Sequence, residues 1–227
     1  GALYFTDWQN PIIGHMQHNL RDPSRDRSHG RIYRVTYQGR PLSTPPKIAG
    51  EPIERLLDLL KHPEDRVRYR TRIELAARPT LEVLGAAKRW LAALPQPATP
   101  TDESYEHHRL EILWLHQSHN VVDVELLRAV LNSPSFRARA AAVRVLCEWR
   151  DRIPQALDWL RTAILDSHPR VRLEAVRAAS YFDPAEVLPV LVEVLTQPED
   201  SFVTHVFRET LRAIESQTRV ATQGRIA

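Results

Sequence analysis

"PRVRLEAVRAA", Pro169 to Ala179, reads as one short amphipathic helix. Its proline stands at the first helical turn, where a missing N–H costs nothing. Val171, Ala175, Val176 and Ala179 then fall at i, i+4, i+5 and i+8, a single apolar stripe. Arg170 and Arg172 flank the stripe.

The pattern recurs along the chain. "PEDRVRYRTRIELAA" starts at Pro63 and "PSFRARAAAVRVL" at Pro134. Aligning the inner apolar position pairs Ile73 with Val143 and Val176; "HRLEILWL" adds Leu110 and "HVFRETLRAI" adds Phe207. The steps are 37, 33, 33 and 31 residues. Between these segments lie short Leu-rich ones: "PIERLLDLLK", "LEVLGAAKRWLAAL", "DVELLRAVL", "ALDWLRTAIL" and "EVLPVLVEVL". Two helices per unit at this period predict an α-solenoid. Ala140, Ala141, Ala142, Ala175, Ala178 and Ala179 are small enough to let neighbouring helices approach closely.

The Pro-x-Val-Arg-x-x-Ala-x-x-Ala spacing of Pro169–Ala178 resembles the second-helix signature of HEAT repeats. The resemblance covers about 52–216 and implies a mainly α fold. Its form would be a right-handed α-solenoid of about five HEAT-like helix pairs, behind a short β-hairpin. It further implies that the arginine after the Val joins a polar ladder between repeats, which by position is Arg68, Arg137 and Arg172. Such solenoids present surfaces to partners, so fold alone does not name a function.

Upstream the character changes. "ALYFTDW" and "GRIYRVTY" alternate as strands, and within the second Ile32, Arg34 and Thr36 oppose Arg31, Tyr33, Val35 and Tyr37. The charged stretch between them is long for a hairpin loop, and long ordered loops tend to be functional. Residues 38–51, "QGRPLSTPPKIAGE", read as a linker. The expected division is 1–37 strands with a charged loop, 38–51 linker, 52–216 repeats and 217–227 tail.

"DW", "NPIIGHMQHNLRDP", "RD" and "HGRIYRV" resemble the end of the β-propeller in a bacterial family of large exported membrane-bound dehydrogenases. In that family a propeller similar to quinoprotein glucose/sorbosone dehydrogenases precedes HEAT repeats and, usually, a c-type haem domain. The resemblance implies that this chain is the middle of a longer periplasmic or otherwise exported protein. Its parent would use a quinone with Ca²⁺ and a c-type haem, while the chain itself would hold no cofactor. The motif C-x-x-C-H is absent here, so a haem domain would lie beyond Ala227. Loop residues His15, His18, Asn19, Arg21, Asp22, Arg25, Asp26, His29 and Arg31 are candidates for the parent's site. Arginine suits bidentate contacts to an anionic ligand, paired Asp a hard cation, and His a base or ligand. The competing reading ties the loop to itself through Asx turns and Asp–Arg pairs; a third rests it on the adjoining repeats.

Composition narrows the rest. The chain has 227 residues, 43% hydrophobic, enough to bury a core. Lys47, Lys61 and Lys88 are the only lysines, so arginine supplies 28 of 31 basic residues against 28 acidic ones. That balance fits a solvated helical surface. A nucleic-acid binder would need Arg66, Arg68, Arg70, Arg72, Arg137, Arg139, Arg144, Arg170, Arg172 and Arg177 on one positive face. Glu74, Glu111, Glu148 and Glu174 share those helices and argue against it. Cys147 sits in an apolar helical pattern and reads as a buried filler. His107, His108, His116 and His119 cluster, yet a zinc site needs a further ligand such as Asp123 and a dry shell. Trp90, Trp114, Trp149 and Trp159 read as packing residues. No phosphate loop or nucleophile elbow is present, and no apolar run is long enough for a membrane span. The expected partners are adjoining domains of the same protein, or another protein, with nucleic acid disfavoured. A non-catalytic scaffold that joins a propeller to a downstream domain is the leading reading.

Overall fold

The computed structural model describes residues 2–7, 23, 26, 28–39, 44–95 and 103–223. The chain divides into two units, residues 1–46 and 47–227.

The first unit contains a two-stranded antiparallel sheet, β1 (Ala2–Asp7) and β2 (Arg31–Thr36). The register pairs Leu3 with Val35, Phe5 with Tyr33 and Asp7 with Arg31. These alternate residues share one face, and Phe5 stacks on Tyr33 with ring centroids 5.0 Å apart. Every residue of β2 is exposed.

The second unit is helical: α1 (Ile53–Leu59), α2 (Asp65–Ala76), α3 (Thr80–Ala92), α4 (Glu103–Ser118), α5 (Val124–Leu131), α6 (Phe136–Trp149), α7 (Ala156–Ile164), α8 (Pro169–Ala179), α9 (Pro184–Leu191) and α10 (Ser201–Gln223). They form five consecutive pairs. The second helices stack in sequence, α2 on α4, α4 on α6, α6 on α8 and α8 on α10. In the other layer α1 packs on α3, and α7 on α9. This is the layered α-solenoid expected from the repeat.

Local chemistry sets the boundaries. Asp123, Asp183 and Asp200 accept backbone N–H bonds at the starts of α5, α9 and α10. Pro169 and Pro184 occupy first turns. Asn120, with φ of 55°, closes α4; behind it the Val121 N–H bonds back to the His116 carbonyl. Gly50, with φ of 75°, turns the chain into α1, and its N–H reaches Glu74 at 3.2 Å. That contact, and Ile48 packed against the core of the first helices, tie 47–51 to the helices, so the linker's last residues belong to the repeat unit. At the other end α10 runs past the expected boundary at 216 to Gln223.

Two apolar clusters make the core, one around α1–α4 and one from α4 to α10. Helix α4 joins them: Leu110 and Leu113 belong to one, Ile112 and Leu115 to the other. The stripe of Val171, Ala175, Val176 and Ala179 is buried, as are Val143 and Leu110. Phe207 is partly buried against the same cluster. Ile73 departs from the expected register. It is 54% exposed, and Thr71 and Leu75 turn inward instead. Leu56, Leu57 and Leu60 are buried within the helical core.

Candidate functional site

Of the charged-loop residues singled out above, Asp26, His29 and Arg31 are described; His15, His18, Asn19, Arg21, Asp22 and Arg25 lie outside the described residues. Asp26 Oδ1 accepts the Ser28 N–H at 2.9 Å, the Ser28 hydroxyl at 2.8 Å and the His29 N–H at 3.2 Å. Its Oδ2 sits 2.6 Å from His29 Nδ1. The Ser28 N–H, the Ser28 hydroxyl and His29 together hold the Asp26 carboxyl at about 2, below the usual range. This is an Asx-type turn. Both oxygens are engaged within three residues, so Asp26 closes the loop on itself. Arg31 lies 3.7 Å from Asp7 across the strand pair and donates to the Tyr33 hydroxyl at 3.4 Å, which raises its affinity for its proton.

In the helical unit, three arginines share one geometry. Arg68, Arg139 and Arg172 each donate from Nη1 to the two carbonyls six and five residues earlier. Arg68 bonds to His62 and Pro63, Arg139 to Ser133 and Pro134, and Arg172 to Asp166 and Ser167. These carbonyls belong to the turn between the helices of each pair, so the guanidinium clamps the turn shut. The same arginines reach onward. Arg139 grips Asp166 of the next pair bidentately, at 2.7 and 2.9 Å, and Arg172 donates to the Pro198 carbonyl at 3.0 Å. Asp166 therefore receives one arginine on its side chain and the next on its backbone. This is a ladder running from pair to pair.

Arg137 needs correction in this light. The residue equivalent to Arg68 and Arg172 is Arg139, because Arg68 and Arg139 each stand five positions after their segment's proline, whereas Arg172 stands three after Pro169. Arg137 does cross between pairs, to Glu103 at 2.7 Å, but on the surface, with side chains 66% and 60% exposed. Arg68 and Arg137 line a common recess of about 330 Å³ with His62 and His107.

Two buried carboxylates reinforce the stack, and sequence reasoning counted them only as a bar to nucleic acid. Glu111, fully buried, takes Arg72 at 2.6 Å, with His107 at 3.0 Å and Arg68 at 3.5 Å. Glu174 meets Arg170 at 3.0 Å, Arg177 at 3.3 Å and Arg144 of the preceding pair at 3.7 Å. The missed signal was a glutamate set among inward apolar residues, Leu110 and Ile112 beside Glu111 and Ala175 beside Glu174. Of the ten arginines of the supposed basic face, seven lie within ion-pair distance of a carboxylate, and Arg172 is buried on carbonyls. The surface is a mosaic.

His116 is largely buried, and burial lowers its proton affinity against a smaller opposing pull from Asp123, 3.7 Å away. His119 Nδ1 lies 3.2 Å from the Thr80 hydroxyl. Among the described residues no three His, Cys, Asp or Glu side chains converge on a point that could hold a metal. Cys147 is buried, and burial pushes its thiol up. Trp149 is buried. Trp90 donates to Asp58 at 3.0 Å and, with Lys61, holds that carboxyl below its usual range. Among the described residues no helix is long and apolar enough to cross a membrane.

No curated protein matches the chain. Among solved structures it is similar to an engineered protein from the Northeast Structural Genomics Consortium, at 18% identity over 72% of this chain and 79% of that one, with a TM-score of 0.44. Residues 124–212, from α5 through the first half of α10, match the family model of HEAT repeats.

Proposed function

We propose that the chain is a helical-repeat interaction scaffold within a larger exported, dehydrogenase-like protein, where it holds a propeller and a downstream electron-accepting domain in register. The observation that carries the scaffold reading is the ladder of Arg139, Asp166 and Arg172, which fixes the angle between consecutive pairs. A device that spans repeats serves shape, and shape is what a scaffold supplies. The dehydrogenase context rests on the resemblance of "NPIIGHMQHNLRDP" and "HGRIYRV" and on the order of strands, linker and repeats. The Asx turn at Asp26 favours a loop tied to itself over one that binds a quinone or Ca²⁺.

The test uses the full-length polypeptide. Asp22→Ala and Arg25→Ala are expected to leave bound quinone, Ca²⁺ and dye-linked sugar oxidation unchanged. Cross-links should run from the repeat surface to flanking domains. Loss of cofactor or turnover in a folded variant would place the loop in the site and overturn the purely structural role. Absence of any cross-link to the repeats would overturn the scaffold.

A further inference from the structure

We propose that the cleft between the third and fourth helix pairs is a docking pocket for a partner peptide carrying a large apolar side chain next to a carboxylate. This rests on the reading of the repeats as an interaction module and names the contact. The cleft lies where the first layer is loosely packed: α1 packs on α3 and α7 on α9, whereas α5 makes no contact of that extent with either α3 or α7. It encloses about 220 Å³. Small-molecule and cofactor pockets run to about 300–1,000 Å³, so this one has room for a single side chain.

Its walls have distinct chemistry. Val143 and Val171, both buried, supply an apolar floor, and Trp159 of α7 a partly buried aromatic wall. Arg139 and Asp166 also line the cleft, but their bidentate pair neutralises both and leaves no net charge for a ligand to answer. Arg128, in the last turn of α5, is different. It lines the cleft exposed, and no carboxylate of a described residue lies within ion-pair distance of it. An unpaired guanidinium beside an indole-walled apolar slot selects a carboxylate by its fork and an apolar group by burial. Trp and Arg are the residue types that most often dominate binding energy at interfaces. A partner with a basic residue at that position would meet Arg128 with like charge and be rejected.

The experiment titrates the ¹⁵N-labelled chain with acetyl-Ala-Phe-Asp-Ala-amide and follows the Trp159 indole resonance, assigned with Trp159→Phe. A saturable shift is expected. The Asn counterpart of the peptide should bind about tenfold or more weakly, the usual cost of losing a charged hydrogen bond. Arg128→Glu, at an exposed position, should lose the Asp peptide and prefer acetyl-Ala-Phe-Lys-Ala-amide. No saturable Trp159 shift, equal binding of the Asp and Asn peptides, or indifference to Arg128→Glu would each overturn the assignment. Cross-links that reach the repeats while these peptides fail would remove the cleft and leave the scaffold standing.

Discussion

At the scale of single residues, two arginines two positions apart do different work. Arg139 and Asp166 are mostly withdrawn from water, with side chains 17% and 13% exposed, and they meet bidentately. Arg139→Ala would leave Asp166 with only the His168 N–H and free two turn carbonyls. It is expected to destabilise the chain by about 2–4 kcal/mol. Arg137→Ala removes only a surface pair and should cost less than about 1 kcal/mol. Urea unfolding of both variants checks the contrast; equal losses would mean that the ladder is ornamental. His116 gives a pH signature. Burial lowers its proton affinity in the fold, so the unfolded chain takes up the proton first as pH falls. Stability should therefore be full above the ordinary value of 6.5 and decline as pH drops through it. His116→Gln should flatten that part of the stability–pH curve. An unchanged slope would assign the effect elsewhere.

At the scale of elements, α2 shows how a helix chooses its inward face. Val67, Thr71 and Leu75 repeat every four residues, and so do Tyr69 and Ile73. Either series satisfies helical periodicity. The clamp of Arg68 on the His62 and Pro63 carbonyls rotates the first series toward α1 and leaves Tyr69 57% exposed. Ile73→Lys should consequently be tolerated within about 0.5 kcal/mol. Leu75→Ala, in the core, should cost about 2–5 kcal/mol. Thermal melts of the pair would distinguish the two registers, and the opposite order would restore Ile73 to the inside. The hairpin stands at the other extreme. A lone two-stranded ribbon is marginal in water, and here Leu3, Phe5 and Val35 remain exposed.

At the scale of the whole molecule, charge is distributed to bind repeats to one another. Arg144 reaches forward to Glu174, Arg72 across to Glu111, and Arg161 to Glu193 in the short 3-10 helix after α9. A formal charge of +3 is thus scattered through a mosaic. Duplex DNA should bind no tighter than about 10⁻⁴ M at physiological salt. Fluorescence anisotropy across a salt series tests this; micromolar affinity with a steep salt slope would reveal a basic face that pairing had concealed.

What the amino-acid sequence determined by itself was the number, order and pairing of the helices. Amphipathic periodicity and first-turn prolines are local, so they are legible at Pro169 without a fold. The strand alternation of β1 and β2 was legible for the same reason. Tertiary structure decided the rest. It chose Thr71 over Ile73, placed Arg139 rather than Arg137 in the clamp, buried Glu111 and Glu174, and opened the cleft beside Arg128. Each of these depends on which neighbour a side chain meets, 27 to 39 residues away in the cases of Arg139–Asp166 and Arg72–Glu111. A helical period of 3.6 residues admits several inward directions. Only contact between layers selects one.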